Sequence, residues 1–394
     1  MRAYSVLKSL SSRYSVSLLI ISNYKEPPLS PAVAECCQLI ATVPLNPLEK
    51  LQIAIRLMTC KIAYLLPLLS ASRPMKWMFV TRRRLKAIAR MFEGTHFDVI
   101  HIFRIYMAPY ASLFINDSFS GICQLDLDDI ESLTNERLAT LFALNGDRSK
   151  AMAMASEARQ YKTVEKDLLP RFDRIFVCSV LDKKRISDQY QCRDIDVIPN
   201  IVQIPEVVRE EGKRVPFTFL FVGSLKYYPN IDGVTFFCRS ILPLIRNKAE
   251  MEFRIKIVGS ISKKDAMILS HVKEVTLTGW VKDVSPHYLA SDCALVPIRA
   301  GGGLRIKVIE AFAYRLPVIS TSIGAEGINA LHKKHLLIAD SPEAFAESCL
   351  RIMKDAALRA HLVENAFSQV RTCHNIGRLT ETLCSRARID NSSL

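Results

Sequence analysis

Glycine is scarce in this 394-residue chain, at 14 residues, and tryptophan occurs only twice. Acidic residues are outnumbered, with 39 Asp and Glu against 53 Lys and Arg. The 11 cysteines are odd in number, run from Cys36 to Cys384, and include no C-x-x-C pair. That spacing argues against a zinc site and against a disulfide framework, and unpaired thiols fit a reducing compartment. A long uncharged apolar run is missing too. "LQIAIRLMTCKIAYLLPLLSA" (Leu51–Ala71) comes nearest, but Arg56, Lys61 and Pro67 interrupt it. Each charge at mid-membrane would cost roughly 2.5–3.5 kcal/mol, which disfavours a span. The opening "MRAYSVLKSLSSRY" is polar and helix-like, and the apolar "VSLLIIS" after it suits a buried strand better than a signal peptide. The expected location is cytoplasmic.

What is present describes a globular chain. Hydrophobic residues make up 49% and charged residues 23%, and the length suggests two or three domains. A formal net charge of +14 favours anionic partners: nucleic acid, an anionic membrane, or phosphorylated substrates. No aromatic-basic stacking module supports nucleic acid.

Apolar spacing at Tyr4, Val6, Leu7 and Leu10 predicts a helix over Arg2–Arg13. "SVSLLIIS", "FDVIHIF", "GICQLDLDD", "FDRIFVCS" and "IDVIPNI" read as buried strands. The polar "QIPEVVREEGKRVP" reads as a linker, after which strands and helices alternate again from "FTFLFVGSL" to "SPEAFAESCLRIMKD". Short apolar strands between helices predict parallel sheets covered on both faces. The expected layout is an N-terminal domain over 1–200, a linker over 201–216, a C-terminal domain over 217–370, and a tail over 371–394 that packs back on the N-terminal domain.

The scarce glycine gathers at one place, "VPIRAGGGLRIKVIEAFAYR". Gly301, Gly302 and Gly303 stand between a strand and a helix, followed by Arg305 and Lys307. Glycines let backbone approach an anion, a helix N-terminus offers free N–H groups, and arginine binds phosphate bidentately. The spacing leaves two readings open: a diphosphate cradle, or a tight turn with solvated basic residues. It is neither a P-loop nor G-x-G-x-x-G. Glu310, on the first turns of the helix, is either a ribose ligand or an exposed helical Glu.

"VPIRAGGGLRIKVIEAFAYRLPVISTSIGAEGI" resembles the donor-site motif of retaining GT-B glycosyltransferases, nearest to a bacterial subgroup of exopolysaccharide and envelope-glycan pathways. Further matching stretches, in chain order, are "FDVIHIFRIYMAP", "LDLDDIES", "FDRIFVCSVLDKKR", "VIPN", "FVGSLKYYPNIDGVTFF" and "TGWVKDV". The resemblance implies an α/β GT-B fold of two Rossmann-like domains facing across a cleft. It implies a hexosyltransferase-type enzyme that moves a sugar from a nucleotide-diphosphate sugar to a glycan or lipid-linked acceptor with retention. No metal or cofactor is implied. Gly223 and Lys226 would lie near the diphosphate with Arg305 and the Gly301–Gly303 backbone. Trp280 and Val281 would lie beside the base. Glu310 would hold the ribose, matching the second Glu of the family's Glu-x7-Glu motif, whose first Glu is replaced by Gly302. In many relatives a His-x-His ends the strand matching "DVIHIF"; here His101 keeps the first position as a structural histidine and Phe103 takes the second. Arg104 becomes the candidate for contacting an anionic acceptor or the sugar phosphate.

Relatives usually begin with a strand and a Gly-containing loop that this sequence does not show. A misplaced start codon and a degenerate copy are both open, the second giving an inactive scaffold. "DLDD" (Asp126–Asp129) follows a strand away from the donor motif and is expected to cap the helix of "IESLTNERLA". "RPMKWMFVTRRRLKAIARMF" (Arg73–Phe92) reads either as a basic amphipathic helix lying on an anionic membrane, placing the protein peripherally at the inner face, or as a surface helix with solvated charge.

Overall fold

A computed structural model describes residues 2–22, 29–63, 74–115, 119–192, 194–206, 215–374 and 376–384, with the side chains of 56–63 left aside. Parts of the expected linker (207–214) and tail (385–394), and residues 64–71 of the apolar run, lie outside these. The chain divides into two compact units, Met1–Ile201 with Ile376–Leu394, and Val202–Asn375.

The first unit runs α1 (Arg2–Ser11), β1 (Ser17–Ser22), α2 (Pro31–Ala34), β2 (Leu39–Pro44), α3 (Pro47–Ala63), α4 (Arg82–Met91), β3 (Val99–Phe103), β4 (Ile122–Asp126), α5 (Glu131–Leu144), α6 (Arg148–Leu168), β5 (Arg174–Val177), α7 (Val180–Gln189) and β6 (Ile195–Val197). β3, β4, β5 and β6 form one parallel sheet in that order, and β1 pairs parallel with β2 in another. β2, "LIATVP", carries no clean alternation and escapes the sequence reading. Helices cover both faces of the larger sheet, so β5 is buried at every residue although it opens on an arginine. Arg174 satisfies its charge at Asp196 Oδ2 and donates to the carbonyl of Thr382.

α3 covers the start of the apolar run, and among the described residues no helix is long and apolar enough to cross a membrane. α4 is capped by Thr81, whose side chain accepts from the Arg84 N–H. Its apolar face does not meet solvent: Leu85 and Ile88, with Phe92, pack against Ala41, Val43 and Tyr110. An amphipathic helix inserting this face into lipid is therefore ruled out, because the face is already occupied by the unit's own core.

The second unit runs β7 (Phe217–Val222), α8 (Tyr228–Phe236), α9 (Leu242–Arg246), β8 (Phe253–Val258), α10 (Lys263–Ser270), β9 (Val275–Gly279), α11 (Ser285–Leu289), β10 (Cys293–Val296), α12 (Ile306–Ala313), β11 (Val318–Ser320), β12 (Leu337–Ile338), α13 (Pro342–Lys354) and α14 (Ala356–Cys373). A π-helical turn, Phe237–Ile241, joins α8 to α9. Ser341 caps α13 by accepting from the Ala344 N–H, in keeping with the Ser-Pro-Glu start. The sheet is parallel throughout, ordered β12-β11-β10-β7-β8-β9. Its first strand is central, and the order reverses between β7 and β10. At such a reversal the connections leave in opposite directions and open a crevice at the carboxyl ends of the strands. The last helix, α15 (Ile376–Cys384), returns to the first unit, where Leu379 and Leu383 pack with Val6, Leu10, Phe176 and Ile198.

One buried ion pair anchors the start of the chain. The Arg2 guanidinium reaches Asp126 at 2.7 and 2.9 Å and the Ile198 carbonyl at 2.6 Å, and both side chains are almost wholly buried. Removing one partner strands the other charge away from water. Asp126→Ala should therefore destabilise the first unit by about 3–5 kcal/mol. Denaturant unfolding checks this; a change as small as that from breaking the exposed Lys184–Asp188 pair contradicts it.

Candidate functional site

The turn after β7 and the turn after β10 meet at the reversal of the second sheet. Gly223 ends β7 with φ +150, and a Cβ there would stand 2.8 Å from Lys307 Nζ and 2.9 Å from Asn230 Nδ2. Glycine lets both side-chain ends lie against the backbone here, at a φ that other residues rarely adopt. Gly301, with φ +123, opens the other turn, where a Cβ would meet Arg305 Nη2 at 3.1 Å and Tyr227 Oη at 3.5 Å. Gly303, with φ +64, completes the turn into α12. Gly223 is thus brought to Gly301, Arg305 and Lys307, which lie close together in sequence some eighty residues later.

Side chains fix this geometry. Lys307 Nζ donates to Asn230 Oδ1 at 2.8 Å and sits 4.0 Å from the centre of the Phe221 ring. Asn230 in turn donates to the Ser224 carbonyl at 2.8 Å. Arg305 Nη1 donates to the carbonyls of Gly302 and Gly303, bracing the turn it follows. Arg299, just past β10, forms a two-toothed pair with Asp232 of α8 at 2.7 and 2.9 Å. The two turns are therefore tied together at two levels. Burial pushes the Lys307 ammonium down to about 7, with Arg305 adding to the shift and Glu310 opposing it. Two basic side chains are held here, and α12 begins beside them with the positive end of its dipole. An anion is the ligand this arrangement favours.

Glu310 is not the exposed helical Glu that spacing alone allowed. It accepts a hydrogen bond from Tyr288 Oη at 2.9 Å, and Tyr288 stacks on Tyr314 at 4.9 Å. Burial raises its pKa, while Tyr288 and Lys307 pull it back. Lys226 lies on the turn after β7 and is exposed, as is Trp280 after β9, whereas Val281 is half-buried. Asn230, Tyr288, Tyr227, the Asp232–Arg299 pair and Gly259 escaped the sequence reading. Gly259 has a role of its own: a Cβ there would come within 2.2 Å of the Gly223 carbonyl.

In the first unit, Arg104 ends β3 with φ +72, a left-handed conformation rare for a side-chain-bearing residue. Its guanidinium contacts Asp128 and Asp129 and lies 3.7 Å from Glu131. Lys76 Nζ pairs with Glu131 at 2.8 Å. The expected capping by "DLDD" does not occur: α5 starts without a side-chain cap, and Asp126, Asp128 and Asp129 are drawn to Arg2 and Arg104 instead. The start of α5 is buried, and Glu165 of α6 takes the place of a local cap by accepting from the Ser132 N–H at 2.9 Å, which leaves the Asp carboxylates to the arginines. His101 lies against Gln124 Oε1 at 3.3 Å and near the Phe176 ring, and burial lowers its pKa, as suits a packed neutral histidine.

Comparisons with known proteins bear on both units. Residues 216–355 match the family "Glycosyl transferases group 1". An uncharacterized 44.6 kDa protein in the cps region of Klebsiella pneumoniae is 26% identical over 157 residues. That match spans 38% of this chain and 40% of the relative, well under two thirds of its length. Sucrose-phosphate synthase from Thermosynechococcus elongatus superposes with a TM-score of 0.69 at 14% identity, covering 97% of this chain and 90% of its own. Anabaena HepE, solved in complex with UDP and glucose, gives 0.65 at 11% identity, covering 100% of this chain and 95% of its own. At these identities the structures establish the fold. The chain is therefore an α/β protein with a GT-B-like fold, built of two parallel-sheet units, and its residues 216–355 match the group 1 glycosyl transferases.

Proposed function

We propose that the chain is a glycosyltransferase that moves a sugar from a nucleotide-diphosphate sugar to a glycan or lipid-linked acceptor, with retention at the anomeric carbon. The convergence of Gly223, Gly301, Arg305 and Lys307 at the sheet reversal carries this reading. Breaking the bond between sugar and diphosphate builds negative charge on the leaving group. Cations and N–H donors fixed in place beforehand stabilise that charge without reorganising, and no metal enters the scheme. Arg305, Lys307 and the amides of the Gly301–Gly303 turn would hold the diphosphate, and the exposed Lys226 would reach it from the neighbouring turn. Glu310, oriented by Tyr288, would bind the ribose. Trp280 and Val281 would flank the base. Arg104 would meet an anionic group of the acceptor or the sugar phosphate in exchange for its present carboxylate partners, Asp128 and Asp129. The Anabaena structure with UDP and glucose supports a nucleotide-sugar donor. The cps region of the Klebsiella relative suits a role in exopolysaccharide assembly at the cytoplasmic side of the envelope.

Calorimetric titration tests the site. Arg305→Ala should weaken binding of nucleoside diphosphates by tenfold or more, given about 1.5–3 kcal/mol for a charge-assisted hydrogen bond. Glu310→Ala should weaken a nucleoside diphosphate while leaving inorganic pyrophosphate nearly unaffected. Equal affinities for wild type and both variants defeat the assignment. Binding without sugar transfer, across a panel of nucleotide sugars and acceptors, would mark an inactive scaffold instead.

The Lys307 shift adds a pH prediction. An arriving diphosphate favours the charged ammonium, so binding takes up a proton wherever the empty site holds Lys307 neutral. The affinity gained from Lys307 is complete below about 7. It should be lost as pH rises above that value, by up to about tenfold per unit. Lys307→Met should bind more weakly at low pH and show no such decline. A wild-type profile that is flat from neutral to alkaline pH contradicts the role.

A further inference from the structure

The first unit carries a surface that the proposed chemistry does not use. On α3, Leu48, Leu51 and Ile55 are exposed by 69%, 58% and 52%. Positions i, i+3 and i+7 share one helical face, so these three form a stripe turned to solvent. The opposite side of α3 faces the unit: Glu49 is buried, accepts from Thr81 Oγ1, and pairs with Arg83 at 3.2 Å. That contact ties α3 to the first turn of α4. There Arg82, Arg83, Lys86 and Arg90 line a shallow concavity of about 500 Å³.

The cations are placed where a helix disfavours them. Arg82 and Arg83 sit at the positive end of the α4 dipole, and Arg82, Lys86 and Arg90 repeat at i, i+4, i+8, a spacing at which like charges repel. Arg83 has Glu49, but no carboxylate of the described residues lies within ion-pair reach of Arg82, Lys86 or Arg90. An external anionic surface relieves this strain. The apolar face of α4 itself is packed inside, so α4 supplies charge alone and α3 supplies the apolar contact.

We propose that the α3 stripe and the α4 cations together form a docking surface for an anionic lipid bilayer, with Leu48, Leu51 and Ile55 entering the interface and Arg82, Lys86 and Arg90 meeting lipid phosphates. A bilayer offers an apolar layer directly beneath a layer of negative charge, which is the pairing this surface presents. The proposal does not depend on the reading of the second unit.

Flotation of the full chain with vesicles tests it, using phosphatidylcholine alone and phosphatidylcholine mixed with phosphatidylglycerol. The wild type should float with the anionic vesicles and only weakly with neutral ones, and added salt should reduce but not abolish binding. Arg82→Glu/Lys86→Glu/Arg90→Glu should lower the partition coefficient by roughly tenfold or more. Leu48→Ser/Leu51→Ser/Ile55→Ser should leave only salt-sensitive binding. All six positions are exposed, so circular dichroism and nucleoside-diphosphate titration should match the wild type and exclude misfolding. Absence of binding to anionic vesicles at low salt overturns the proposal. So does binding that neither variant changes, or a wild-type dimer in light scattering that the serine variant dissolves. Nucleotide titration stands or falls separately, so failure here is distinguishable from failure of the donor site.

Discussion

The contact between the Lys307 ammonium, the Asn230 amide and the bare backbone of Gly223 is the constraint on which the second unit's site depends. It joins the turn after the central strand β7 to the helix after β10. Parallel topology alone would open a crevice there, since neighbouring connections diverge. The lysine and asparagine convert that opening into a defined cradle. The same contact removes much of the water around the ammonium and so depresses its pKa. An amine poised between its two forms near neutral pH is a responsive group, because an incoming anion favours the charged one.

The first unit concentrates charge as well, but with the opposite outcome. Asp126, Arg2, Asp128, Arg104, Glu131 and Lys76 alternate in sign along a chain of ion pairs at the carboxyl ends of β3 and β4. Burial still raises the pKa of Asp128 despite its two arginine neighbours. Such a network adds little net stability over apolar packing, yet losing one of its buried members is costly. It holds Arg104 in a backbone conformation that costs on the order of 1–3 kcal/mol. Strain of that kind persists only where surrounding contacts over-determine it. Arg104 is therefore a positioned group rather than an adaptable one.

The sequence was most legible where one residue type is scarce and its placement informative. Three glycines at a strand-to-helix turn beside Arg305 stood out against so glycine-poor a chain, and the apolar strands around them read cleanly. Lys307 drew notice by its place beside the glycines, and Glu310 through the family resemblance, since spacing alone left it open as an exposed helical residue. Asn230, Tyr288 and the Asp232–Arg299 pair did not, because each joins segments tens of residues apart and nothing local distinguishes it. Gly259 looks like any strand-ending glycine until the Gly223 carbonyl is placed against it. "DLDD" misled for the same reason: a cap is a local inference, whereas Arg2 and Arg104 arrive from elsewhere in the chain. The basic helix α4 was legible as amphipathic, but its sequence could not say which neighbour would claim its apolar face.

The return of α15 to the first unit has a consequence for how the protein is made. The apolar face formed by Val6, Leu10, Phe176 and Ile198 acquires its cover, Leu379 and Leu383, only after the whole second unit has been translated. A chain emerging vectorially from the ribosome carries that greasy patch uncovered for as long as the intervening segment takes to synthesise. At about 5–20 residues per second this amounts to roughly ten seconds or more. The second unit can assemble around β7 in the meantime, and so can the larger core of the first, which takes no residue from α15; only this face must wait.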